Sequence, residues 1–244
     1  MAEPARYVFA SHGEELAGAA RQWAVDHSRI SGAQLVTVRV AGEHAPVGPP
    51  QTADGSTIVL RGRVPEALSE FVRDDDVLVL GTDKTGFIHA RVFGSTGIRI
   101  AAAVRCSVAV VPESDLRFRS AVVVGVDDAA SADSIARIAS AEAAERSEPL
   151  QLIHSFYDEP RSGLPHTIEP MLERAAAAVK QRRPDLEVSM RSTARPPVEA
   201  LLDASRNAAL LVLGSHTGRP MLGSVAHDVL VNINAPVLLV RSHS

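Results

Sequence analysis

Short apolar runs of strand length recur along the chain. They are separated by longer stretches in which apolar residues return at helical spacing. The runs include Tyr7-Val-Phe-Ala10, Leu35-Val-Thr-Val-Arg-Val40, Val77-Leu-Val-Leu80 and Val108-Ala-Val-Val111, then Val122-Val-Val124, Leu150-Gln-Leu-Ile153, Leu210-Leu-Val-Leu213 and Val237-Leu-Leu-Val240. Between them, Leu16, Ala19, Ala20, Trp23 and Ala24 share one face of a predicted helix, and Leu222, Val225, Ala226, Val229 and Ile233 share another. Trp23 on such a face reads as a core anchor. Strands alternating with helices predict βαβ units and a parallel sheet.

The runs form two sets. Tyr7-Val-Phe-Ala-Ser-His12 and Leu35–Val40 align with Val122-Val-Val-Gly-Val-Asp127 and Leu150–Ser155 at an offset of 115 residues. Glu66-Ala-Leu68 and Val77–Gly81 align with Glu199-Ala-Leu201 and Leu210–Gly214 at an offset of 133, and Gly94-Ser95 and Val108–Val111 align with Gly223-Ser224 and Val237–Val240 at 129. Matches at several ordered places identify an internal repeat. It divides the chain into a first module over residues 1–115 and a second over 116–244. The jump from 115 to 133 places 18 extra residues after the second strand of the second copy. They include Met171-Leu-Glu-Arg-Ala-Ala-Ala-Ala-Val-Lys180, a strong helix former. The first copy has only Ala41–Gly55 there, with Pro46, Gly48, Pro49 and Pro50. That reads as an irregular loop, so the first copy is expected to lack its second helix.

Composition narrows the picture. Apolar residues make up 45% of the 244 residues but aromatics only 4%, so Ala, Val and Leu must build the core. This suits buried parallel strands covered by Ala-rich helices. The net charge of −4 and scattered arginines such as Arg117, Arg119, Arg182 and Arg183 argue against a nucleic-acid partner. Cys106 is the single cysteine, which fits a reducing compartment and reads as a small buried hydrophobe. No apolar stretch approaches the ~20 residues that span a bilayer, and the N-terminal residues lack the pattern of a signal peptide. A cytoplasmic protein with no membrane contact is expected.

The second copy combines Val122-Val-Val-Gly-Val-Asp127, Gly214-Ser-His-Thr-Gly218-Arg-Pro-Met-Leu-Gly223-Ser-Val-Ala226 and Ala235-Pro-Val-Leu-Leu-Val240. This order of an Asp closing the first strand, a glycine loop after the fourth and a closing Pro-Val strand resembles the universal stress protein family. The resemblance covers essentially the whole chain, once per copy. It implies two tandem doubly wound five-stranded parallel sheets, each with strand order 3-2-1-4-5. It also implies pairing of modules through their fifth strands, here as an intramolecular pseudo-dimer and with homodimers as a further option. Some members of that family bind ATP and others do not, and most have no established catalytic activity.

Strand order 3-2-1-4-5 reverses between strands one and four, where ligands of open α/β sheets sit beyond the carboxyl ends. Asp127 and Gly214 are expected to converge there as the ends of those strands. Glycines let backbone approach a phosphate, and a helix beginning at Gly223-Ser224-Val225 offers free N–H groups. Asp127 suits a ribose hydroxyl and Arg219 a phosphate. The expected binding set is Asp127, Gly214, Ser215, Gly218, Arg219, Gly223, Ser224 and Val225, with ATP as the candidate cofactor. The plainer alternative makes the loop a tight strand-to-helix turn with Asp127 capping the next helix.

Both copies depart from the family pattern. In the first, Gly81 and Gly94 stand thirteen positions apart, but Lys84 replaces the middle glycine and His12 the Asp. Lys84 suits a phosphate or a solvated loop. In the second, Gly214 and Gly223 are only nine positions apart and Thr217 looks inserted. Any nucleotide is therefore expected in the second module, bound weakly. The histidines, among them His27, His154 and His216, show no zinc-like spacing, and no metal is expected. His154 is expected near the sheet edge, and Asp74-Asp-Asp76 as a solvated acidic run. No Walker lysine loop or nucleophile elbow is present. Three function classes remain: a non-enzymatic stress-response regulator that holds an adenine nucleotide, an interaction module whose sites have decayed, and, last, a nucleotide-using enzyme.

Overall fold

The structure is a computed structural model that describes residues 5–11, 18–42, 57–82, 94–114, 118–127, 129–157, 164–216 and 222–242. The chain forms two compact units, the first chiefly from Met1–Asp115 and the second chiefly from Leu116–His216, Gly223–Val229 and Ile233–Ser244.

In the first unit the elements run β1 (Arg6–Ser11), α1 (Gly18–Ser31), β2 (Gln34–Ala41), β3 (Thr57–Arg61), α2 (Val64–Phe71), β4 (Asp76–Thr82), α3 (Ser95–Ala103) and β5 (Ser107–Pro112). The strands lie in the order β3-β2-β1-β4-β5, and every neighbouring pair is parallel. The second unit repeats the plan. It runs β6 (Val122–Gly125), α4 (Ala129–Arg146), β7 (Leu150–Ser155), α5 (Leu164–Arg182), β8 (Val188–Thr193), α6 (Pro197–Ala204), β9 (Leu210–His216), α7 (Ser224–Val231) and β10 (Val237–Ser242). Its order is β10-β9-β6-β7-β8, again parallel throughout. Each unit is thus a five-stranded doubly wound sheet of the expected 3-2-1-4-5 order.

Local chemistry explains several boundaries. Proline in the first turn opens α2 and α6, where its missing N–H costs nothing and its fixed φ suits the helix. Val8, Leu78, Val108, Val122, Leu152, Leu210 and Leu239 are wholly buried, which is why these strands read as continuous apolar runs rather than alternating ones. Helix α5 contains the helix-forming segment anticipated between the second and third strands of the second copy. The matching segment of the first copy falls on residues 43–56, outside the described residues, and among the described residues no helix stands between β2 and β3. Trp23 is a core anchor as expected, packed edge-on against Tyr7. Its stacked partner is the buried His27, whose Nδ1 lies 2.6 Å from the Trp23 carbonyl. Cys106 is buried, as expected.

Some expectations change. The acidic run is not uniformly solvated: Asp76 is fully buried at the start of β4, where Arg6 forks onto both its oxygens, one at 2.8 Å. The Arg73 N–H donates to it as well, at 2.7 Å. Hydrogen bonding to Asp76 holds the Arg6 guanidinium above its ordinary pKa. A buried carboxylate is tolerable when paired and hydrogen-bonded in this way. His154 is not at a sheet edge: β7 lies between β6 and β8, and the imidazole is buried. Ile233 lies just past the end of α7 rather than within it, although it is buried. Leu16 is outside the described residues.

Candidate functional site

The second unit contains a crevice of about 390 Å³ at the carboxyl ends of β6 and β9. It occupies the point where the strand order reverses, because β6 has β7 on one side and β9 on the other. Of the eight residues expected from the sequence, Asp127, Gly214, Ser215, Gly223, Ser224 and Val225 all line it. Gly218 and Arg219 lie outside the described residues.

The placements differ in detail from those expected. Strand β6 ends at Gly125, so Asp127 stands two residues beyond it, exposed at the rim. Helix α4 starts at Ala129, so Asp127 stands two residues before it, and residue 128 lies outside the described residues. Strand β9 continues to His216, so Gly214 lies within it, opposite Val240. Helix α7 does begin at Ser224, and its first intrahelical bond runs from the His227 N–H to the Gly223 carbonyl at 2.9 Å. The N–H groups of the turn before His227 have no intrahelical acceptor. The positive end of the helix faces the same space, a natural seat for an anion.

The glycines have separate reasons. A Cβ on Gly214 would come within 2.5 Å of Ile135 Cδ1, and one on Gly125 within 2.8 Å of Leu213 Cδ2 and 3.1 Å of Leu201 Cδ2. Both let the core close behind the crevice. At Gly223 a Cβ would meet nothing within 4 Å and the φ is not positive. Among the described residues, neither packing nor backbone strain requires glycine at that position.

Reading the sequence for a glycine loop missed the apolar walls. Ile135, Ile153, Leu201, Leu213 and Val240 make an apolar floor, and Pro197 and Ala200 of α6 form one side. The lone glycine inside β6, Gly125, was the available sign of a close approach there. Among the described lining residues Asp127 is the one ionisable group, and the described residues contain no His, Cys, Asp and Glu cluster able to hold a metal. None of their helices is long and apolar enough to cross a membrane.

Comparison with known proteins agrees with this architecture. The profile of the universal stress protein family matches residues 119–241. A universal stress protein of Mycobacterium tuberculosis is 30% identical over 203 residues, covering 75% of this chain and 64% of that relative, so the match spans less than two thirds of the relative's length. A universal stress protein from Archaeoglobus fulgidus superposes with a TM-score of 0.71 at 15% identity, over 98% of this chain and 99% of that one. Another from the same organism, solved in complex with dAMP, covers 50% of this chain and 98% of its own, with a TM-score of 0.42 and 22% identity. The family profile spans half of the chain, and the parallel sheets have the strand order that the resemblance implied; the chain belongs to the universal stress protein family.

Proposed function

We propose that the second unit holds an adenine nucleotide in the β6–β9 crevice and that the protein works as a non-enzymatic stress-response regulator. The observation that carries this reading is the convergence on one crevice of an exposed carboxylate, the N-terminus of α7 and an apolar floor. The volume of about 390 Å³ falls within the range of small-molecule sites. The apolar floor suits the base, Asp127 accepts from ribose hydroxyls, and the N–H groups at Ser224 and Val225 donate to phosphate. A single ionisable group among the described lining residues supports holding a ligand over turning it over, since acid–base chemistry generally needs positioned partners.

The test is a calorimetric titration of the full chain with adenosine, AMP and ATP. Wild type should bind all three. Asp127→Ala should weaken them by a similar factor, because its proposed partner is the sugar that they share. A wild type that binds none of them at millimolar ligand would overturn the reading and leave a protein-interaction role in its place.

A further inference from the structure

We infer that His154 is the positioning residue for Asp127, and that it sets how strongly the crevice reads the sugar of its ligand. The inference rests on the nucleotide reading above and extends it to a residue that does not touch the crevice.

Side chains alternate along a strand. Ile153 and Ser155 of β7 line the crevice, so His154 points to the opposite face of the sheet, where it is buried at 3% exposure. From there its Nδ1 lies 2.8 Å from the carbonyl oxygen of Val126. A carbonyl only accepts, so Nδ1 carries the proton and donates. Val126 is the first residue past β6, and its N–H is also tied to β7, donating to the Ile153 carbonyl at 2.8 Å. Both polar groups of Val126 are therefore held from one neighbouring strand. The Val126 carbonyl belongs to the peptide group that ends at the Asp127 Cα, and that group is planar. Fixing the oxygen fixes the plane and with it the position of the Asp127 Cα, so that only rotation about its N–Cα bond and within the side chain is left to aim the carboxylate. Asp127 itself is exposed at the end of this segment. Its aim depends on the backbone beneath it, and that backbone is pinned by His154. A site built this way gains affinity from preorganisation rather than from a further contact.

The experiment compares adenosine with 2′,3′-dideoxyadenosine, which lacks the hydroxyls that Asp127 would accept from. The full chain is titrated as wild type, His154→Phe and His154→Asn. Phe keeps a ring in the buried site and removes the donor, whereas Asn places an amide N–H near the position of Nδ1. Wild type should prefer adenosine by roughly tenfold, the value of one charge-assisted hydrogen bond pair. His154→Phe should bind dideoxyadenosine as wild type does and adenosine roughly fivefold more weakly, so that the preference collapses. His154→Asn should keep it. In an Asp127→Ala background, His154→Phe should have no further effect, because the residue acts through Asp127.

A His154→Phe protein that retains the wild-type preference overturns the inference alone and leaves the nucleotide site standing. A wild type that binds both nucleosides equally overturns the sugar contact and the inference together, and one that binds neither overturns the nucleotide reading as well. If the Phe variant does not fold, His154→Leu takes its place as the variant without a donor: a lost preference supports the inference and a kept one overturns it.

Discussion

The two units are copies of one plan that solve the same burial problems with different chemistry. At the start of the first strand, Arg6 of the first unit forks onto the buried Asp76 of β4. The second unit has Ala121 and Ala209 at the equivalent places, and joins them by a backbone bond of 2.9 Å from the Ala209 N–H to the Ala121 carbonyl. On the second strand, Leu150, Leu152 and His154 of β7 are all buried, and α4 and α5 pack together and against that strand. The equivalent residues of β2 are Leu35, Thr37 and Arg39, each only partly covered. On this face the first unit has Thr37 and Arg39, partly covered, where the second has Leu152 and His154, both buried. The lesson is that a repeat preserves its strand order while the residues facing each crossover follow whatever covers them.

The largest expected effect tests the ion pair. Arg6→Ala leaves Asp76 buried without its cation and should cost about 3–5 kcal/mol. Adding Asp76→Ala should recover much of that loss, because it copies the alanine pair of the second unit. Urea unfolding of the single and double variants measures both. A double variant no more stable than the single would show that the pair is not exchangeable for the plainer solution.

The second prediction tests the covered strand face. Leu152→Thr places the first unit's residue at a fully buried position of β7 and should cost about 2–4 kcal/mol, through lost burial and a hydroxyl in an apolar site. The reciprocal Thr37→Leu should change stability by less than about 0.5 kcal/mol, since that position is partly open. Thermal melts of the two variants compare them directly, and equal costs would mean that the two faces are equally covered.

The smallest effects separate the glycines. Gly214→Ala pushes a methyl group against the end of Ile135 and should cost about 1 kcal/mol, limited because that end can move. Gly223→Ala points its methyl into open space and should leave stability within about 0.5 kcal/mol of wild type, while weakening AMP more than adenosine. If Gly223→Ala melts early and spares AMP, the glycine serves the fold and not the ligand.

Much of this was legible in the sequence because it is written in local periodicity. Strand and helix lengths, the repeat and its offsets, the long crossover of the second copy and the start of α7 at Ser224 all follow from the spacing of apolar residues, glycines and prolines. Six of the expected site residues do line one crevice, since strand order brings the ends of β6 and β9 together. The apolar floor was harder to see. Ile135, Leu201 and Val240 look like ordinary core residues until the sheet is assembled.

Sequence by itself determined the alternation of elements, the twofold repetition and the chemistry gathered in the glycine loop, because each depends on residues near one another in the chain. Tertiary structure decided what pairs across it. Asp76 reads as one more solvated acid until Arg6, 70 residues away, arrives beside it. His154 reads as a histidine at the end of a strand until the Val126 carbonyl, 28 residues away, comes within 2.8 Å. The physical reason is that burial and hydrogen-bond partners of a polar group are set by the strands beside it. Local periodicity shows that a strand forms, but not which polar atom the neighbouring strand will present.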